Sequence, residues 1–131
     1  MSPRPPSGPT PTTLHAIDPD VFAELALVGG GERSAFVARV ISKFVEHIRQ
    51  GLSELDTSLR RRDTDSIRLV AHRMKGSARQ VGATLLAEAC EDCLRSAERG
   101  DLKLARRYLR RIEEAWTLSL RELLARDLLL N

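Results

Sequence analysis

The sequence predicts an all-α protein, namely an antiparallel four-helix bundle with an additional short N-terminal helix. Leu, Ala, Arg and Glu dominate the chain, whereas aromatic residues make up only 4% of its 131 residues, which is typical of helices packed through aliphatic side chains. Apolar residues recur at three- to four-residue steps over long stretches. Only short breaks separate these stretches, and short loops between long amphipathic helices make consecutive helices antiparallel neighbours.

Proline marks a tail at the N-terminus. All but one of the six prolines lie within residues 1–13, among Ser, Gly and Thr, and this composition resists packing. We therefore predict a flexible Pro-rich tail or linker over residues 1–16; a linker to other modules and an ordinary chain terminus are equal alternatives. One helical domain follows over residues 17–128, long enough for a modest core, with a C-terminal tail over residues 129–131.

Local signals predict where the first two helices begin and end. Asp18 is a suitable N-cap, with Pro19 at the first helical position. Gly29-Gly30-Gly31 ends this helix; it is interpreted as a hinge or C-cap, because the Gly-Lys-Ser/Thr of a phosphate-binding loop does not follow. Ser34 caps the second helix, whose apolar stripe continues to about Arg62.

Similar signals divide the rest of the chain. Asp63 or Thr64 caps a third helix that Gly82 ends, the fourth helix stops at Gly100, and Asp101 caps the last helix. The apolar stripe of the last helix comprises Leu102, Ala105, Leu109, Ile112, Trp116, Leu120 and Leu123.

The third helix carries a histidine on its polar face. At about 100° per residue, one face is apolar and comprises Ile67, Ala71, Met74, Ala78 and Val81. A second face, roughly 135° away, comprises Arg68, His72, Lys75, Gly76 and Arg79. Glycine costs about 1 kcal/mol relative to alanine in a helix, but a missing side chain leaves room for another molecule to approach the imidazole. The neighbouring cations would favour an anion on the ring, so the pattern indicates a histidine that carries a phosphoryl group.

The same segment resembles the motif of histidine-containing phosphotransfer (HPt) domains, the intermediate carriers of multistep phosphorelays. That motif is a histidine, a hydrophobic residue two positions on, Lys-Gly, two small residues, and Gly-Ala about ten residues after the histidine. Here it comprises His72, Met74, Lys75, Gly76, Ser77, Ala78, Gly82 and Ala83. The resemblance covers residues 18 to about 124, including the break at Arg99-Gly100-Asp101, and it implies the same helical bundle.

The resemblance also implies a mechanism. His72 would accept a phosphoryl group through Nε2 from the aspartate of a response-regulator receiver domain and pass it to another receiver. Lys75 would pair with the phosphoryl oxygens, Gly76 would keep the approach open, and the surrounding binding residues would be Arg68, Ser77, Arg79 and Gln80. A hybrid sensor histidine kinase would act upstream. The protein would be a phosphocarrier without kinase activity and without a cofactor of its own, since the receiver supplies Mg²⁺.

One position departs from the family pattern. Many members place Glu or Gln about 22 positions after the histidine, on the helix that faces it, whereas this chain has Leu94. Gln80 and Arg95 are the candidates to replace that polar group.

Two other functions remain as alternatives: a helical adaptor that binds partners without accepting phosphate and, more distantly, a basic nucleic-acid-binding domain. The net charge is only +3. A basic face on the last helix comprises Lys103, Arg106, Arg107, Arg110 and Arg111. It lacks interleaved aromatic residues, so we interpret it as a solvated, salt-bridged surface and expect no nucleic-acid partner.

The two cysteines and the apolar stretches bear on location. Cys90 and Cys93 fit buried thiols in a reducing compartment better than a disulfide or half of a zinc site, since structural zinc needs four ligands. No apolar stretch approaches the roughly 20 residues that span a bilayer, and no secretory signal is visible. We expect a cytoplasmic monomer without direct membrane insertion, either free-standing or as the cytoplasmic module of a larger sensor kinase.

Overall fold

The computed structural model describes residues 15–126, and within that range it contains five helices and no strand. They are α1 (Pro19–Gly29), α2 (Ala35–Arg60), α3 (Thr64–Gln80), α4 (Thr84–Glu98) and α5 (Leu102–Ala125). Each of α2 to α4 packs against the next helix along the chain, and α5 also packs against α2, which closes a four-helix bundle. The predicted fold class is therefore confirmed. The proline cluster and the predicted C-terminal tail lie outside the described residues.

Side-chain caps begin four of the helices at the predicted positions. Asp18, Ser34, Asp63 and Asp101 each accept a hydrogen bond from a backbone N–H in the first turn that follows. Such a cap contributes about 1 kcal/mol by satisfying a donor that has no partner within the helix. At the end of α2 the sequence expectation is slightly long, because Arg62 already adopts a left-handed φ of 56°.

The short helix α1 lies across one end of the bundle. The Asp18 N–H donates to the Gly82 carbonyl oxygen at 2.6 Å, in the turn between α3 and α4. Just before α1, the N–H groups of Ala16 and Ile17 donate to the Glu122 carboxylate near the end of α5, at 2.6 and 3.0 Å. Ala16 is fully buried, so the packed domain begins at least one residue earlier than the sequence boundary at residue 17.

A glycine allows α2 and α3 to approach closely. Gly51 is buried in α2, and a β-carbon added there would lie 2.5 Å from Cγ of Met74 in α3. The packing of Met74 against this glycine fixes the apolar face of α3, and therefore also the direction of its polar face.

Both cysteines are free and buried in α4, as the sequence predicts. Desolvation by burial raises the pKa of Cys90 to about 12 and that of Cys93 to about 11. The thiols are therefore protonated core groups at neutral pH. Among the described residues, no helix is long and apolar enough to cross a membrane.

Candidate functional site

His72 lies near the middle of α3 with its side chain exposed to solvent. Its neighbours Ala71 and Met74 are buried, at 0% and 1% exposure, so the core packing of α3 holds the histidine on the opposite side of the helix. Within residues 15–126, no hydrogen bond or ion pair engages the imidazole. Both ring nitrogens are therefore available to a partner molecule.

Gly76 lies one helical turn after His72 on the same side of α3. A β-carbon added there would have no heavy atom within 4 Å, and the backbone at Gly76 is ordinary helix. In contrast to Gly51, this glycine is required neither by a close helix contact nor by an unusual φ. Its effect on the surface is to leave open space on the side of α3 that carries His72.

Lys75 is less exposed than its place on the polar face suggests. Its side chain is only 15% exposed and extends toward α4, where Nζ donates to Oε1 of Glu91 at 2.7 Å. The other carboxylate oxygen of Glu91 accepts from Nε of Arg95, also at 2.7 Å. The hydrogen bonds from Lys75 and then Arg95 lower the pKa of Glu91 to about 2, so the carboxylate remains charged at neutral pH.

The side of α3 that faces α2, away from Lys75, borders a groove of about 530 Å³. Its lining includes Ser77 and Gln80 from the predicted binding residues. Oγ of Ser77 lies 3.2 Å from Nδ1 of His47 in α2, a histidine outside the motif. Arg73 forms an ion pair with Glu54 across the same groove. Ser77 and Gln80 therefore lie toward α2, whereas Lys75 lies toward α4.

The two predicted arginines differ in their surroundings. Arg68 lies 3.3 Å from a carboxylate oxygen of Asp65 and 3.6 Å from one of Glu98 in α4. Arg79 is exposed and has no carboxylate partner among the described residues. The charge of Arg68 is thus largely balanced, while that of Arg79 is free to act on an approaching molecule.

His72, Gly76 and Arg79 form the exposed outer ridge of α3. The charged residues beside this ridge contact carboxylates on neighbouring helices; they are Arg68, Arg73 and Lys75. Leu94, the position where many HPt domains have a polar residue, is 9% exposed. The acidic residue of α4 that contacts Lys75 is Glu91, less than one helical turn earlier. Glu91 is not among the residues predicted from the sequence, although its position beside the buried Cys90 on α4 indicates an acid at the edge of the core.

The basic face of α5 is solvated, but the prediction that it is salt-bridged is wrong. Lys103, Arg106, Arg107 and Arg110 are exposed and form no ion pair with any described residue. Arg111 stacks over the ring of Tyr108, with Cζ 5.5 Å from the ring centroid. Two acids on α4 are already occupied, since Glu91 binds Lys75 and Arg95 while Glu98 lies against Arg68.

Comparisons with known proteins identify a family and a similar structure. The sequence matches the model of the Hpt domain family over residues 39–127, a range that includes all of α3, α4 and α5. The crystal structure of histidine-containing phosphotransfer protein B from Pseudomonas aeruginosa PAO1 is similar, with a TM-score of 0.76 and 29% sequence identity. That match covers 88% of this chain and 95% of the other. The comparison with curated proteins finds no match.

Proposed function

Since this chain belongs to the Hpt domain family of phosphorelay proteins, we propose that His72 is its phosphoacceptor. On this proposal, His72 accepts the phosphoryl group from the aspartyl phosphate of one receiver domain and passes it to the aspartate of another. The observation that carries the proposal is the exposed, unpartnered imidazole of His72 beside the open space at Gly76.

The bond changes themselves involve only the ring nitrogen of this chain. The lone pair on Nε2 of the neutral imidazole attacks phosphorus, the N–P bond forms, and the P–O bond to aspartate breaks. The bonding electron pair leaves with the aspartate carboxylate, and the ring keeps its proton on Nδ1, so a positively charged ring carries the phosphoryl dianion. The reverse sequence of bond changes passes the group onward. Phosphoryl transfer depends mainly on positioning and charge stabilisation, which suits a carrier with a simple, accessible site.

The surroundings of His72 support access by a folded partner. The open space at Gly76 admits the aspartate and its phosphoryl group without displacing a side chain. Arg79 presents an unbalanced positive charge on the same ridge, which attracts an acidic cleft during encounter. Arg68 contributes less, because Asp65 and Glu98 offset its charge.

The remaining parts of the proposal concern partners and location. We assign the Mg²⁺ of the reaction to the receiver; among the described residues, no three His, Cys, Asp or Glu side chains cluster closely enough to hold a metal ion. A hybrid sensor histidine kinase supplies the phosphoryl group to the relay, and this chain has no kinase activity of its own. We further propose that it acts as a monomer in the cytoplasm.

A phosphotransfer assay tests the central proposal. A receiver domain carrying labelled phosphate, with Mg²⁺, should label this protein on one residue, and the label should be lost in acid but survive alkali, as a phosphoramidate does. His72→Gln should abolish labelling without loss of helix content, while His47→Gln serves as the matched control and should retain it. Equal labelling of the His72→Gln variant would refute the proposal. Receiver binding without any transfer would instead indicate a helical adaptor.

A further inference from the structure

Three charged side chains form a chain of contacts beside the proposed phosphoacceptor. Lys75 of α3 contacts one oxygen of the Glu91 carboxylate, and Arg95 of α4 contacts the other, each at 2.7 Å. The exposed fractions are 15% for Lys75, 25% for Glu91 and 66% for Arg95. The lysine and the carboxylate are therefore partly shielded from water, whereas the arginine is largely exposed.

Lys75 is also within reach of His72 along its own helix. Residues three apart on a helix are surface neighbours, with β-carbons about 5–6 Å from each other, and the lysine side chain is long and flexible. The ammonium can therefore contact either the Glu91 carboxylate or a phosphoryl group on His72, by rotation about its side-chain bonds.

We propose that Glu91 is a positioning residue that competes with the phosphoryl group on His72 for the Lys75 ammonium. This inference rests on the proposed role of His72. In the unphosphorylated protein, Glu91 holds the ammonium between α3 and α4. When His72 carries a phosphoryl group, Lys75 moves to that dianion, and Arg95 remains on Glu91.

Arg95 makes this exchange possible. Removing one member of a partly shielded ion pair leaves a charge without its partner, which is unfavourable. Because Arg95 contacts the second oxygen of Glu91, the carboxylate keeps a cationic partner after Lys75 has left. The exposed arginine can also adjust its position to share both oxygens, as its planar donor groups permit.

The competition has a consequence for a carrier that must give its phosphoryl group away. Glu91 offsets part of the stabilisation that Lys75 offers to phosphorylated His72, so it shifts the equilibrium toward the receiver aspartate. Replacing Glu91 by Gln removes the competing charge and keeps the side-chain size. We expect Glu91→Gln to raise the ratio of phosphorylated to unphosphorylated protein at equilibrium about three- to tenfold, in the range for a partly shielded ion pair.

In the experiment, a phosphorylated receiver and Mg²⁺ are equilibrated with the full chain. The measured quantity is the ratio of protein phosphorylated on His72 to unphosphorylated protein. Lys75→Ala should lower the ratio, and in the Lys75→Ala background Glu91→Gln should have no further effect, because the proposed competition acts only through the lysine. Glu88→Gln is the matched control, since Glu88 is an exposed acid of α4 without an ion-pair partner among the described residues, and it should leave the ratio unchanged. If Glu91→Gln fails to fold, Glu91→Asp shortens the carboxylate away from Lys75 and should act in the same direction.

A second readout follows Lys75 itself. The ¹⁵N NMR signal of its ammonium should change in the wild-type protein upon phosphorylation and, in the unphosphorylated protein, upon Glu91→Gln. If wild type takes the label on His72 but neither Glu91 variant changes the ratio, this inference is overturned and the proposed function stands. An equal rise in the ratio upon Glu91→Gln in the absence of Lys75 would overturn the inference in the same way. A wild-type protein that takes no label on His72 would instead refute the proposed function.

Discussion

Gly76 lies one helical turn after His72 on the outer ridge of α3, and no heavy atom would lie within 4 Å of a β-carbon placed there. We therefore expect Gly76→Ala to stabilise the protein by up to about 1 kcal/mol, because alanine is the better helix former and meets nothing. Gly76→Gln should keep the fold but slow phosphoryl transfer by about tenfold or more, since a long side chain occupies the approach to the imidazole. Thermal melting and transfer rates of both variants test this. Transfer by Gly76→Gln at the wild-type rate would contradict the steric role.

The other helical glycine that matters, Gly51, should respond with the opposite sign. Its β-carbon would lie 2.5 Å from Cγ of Met74, so Gly51→Ala should lower the free energy of unfolding by about 1–3 kcal/mol through overpacking. In a Met74→Ala background the added methyl group has room, and the same substitution should be close to neutral. Urea unfolding of wild type, the two single variants and the double variant measures the coupling between Gly51→Ala and Met74→Ala. Equal destabilisation in both backgrounds would show that Met74 is not the obstacle.

The Glu91 ion pairs predict how stability depends on pH. The folded-state pKa of Glu91 is lowered from 4.5 to about 2 by Lys75 and Arg95. A lowered pKa gives stability that is fully present above pH 4.5 and is lost as the pH falls toward 2. Glu91→Gln should therefore be less stable than wild type at pH 7, and the difference should narrow between pH 4.5 and 2. The free energies of unfolding of both proteins are measured by urea unfolding across this pH range. A difference between them that does not change with pH would exclude an ionic contribution from Glu91.

The two arginines near His72 should contribute unequally to partner encounter. Arg79 has no carboxylate partner among the described residues, whereas Arg68 lies against Asp65 and Glu98. Arg79→Ala should slow association with a receiver by about two- to tenfold at low salt, with the effect decreasing as ionic strength rises. Arg68→Ala is the matched control and should change the rate less. Association rates measured by stopped flow at several salt concentrations test this prediction. An equal or larger decrease of the rate upon Arg68→Ala would contradict this electrostatic account.

Much of this fold follows from sequence because its determinants are local. Asp18, Ser34, Asp63 and Asp101 each cap a helix within their own first turn, so a short stretch of chain suffices to predict each start. The exposure of His72 is equally local, since apolar residues at helical spacing decide which side of α3 is buried. The motif around it adds the family resemblance and hence the expected chemistry.

The partners of the charged residues depended on the tertiary structure. Lys75 and Glu91 are 16 positions apart and meet only because α3 and α4 pack side by side. The packing of α2 against α3 likewise places Ser77 against His47, while the basic residues of α5 find no carboxylate among the described residues. A helix period of 3.6 residues determines the face on which a side chain lies, but a long charged side chain can reach several acceptors from the same face. Which acceptor it contacts depends on the distance between helices and on which carboxylates already have a partner. Neither can be deduced from the spacing of residues along one helix.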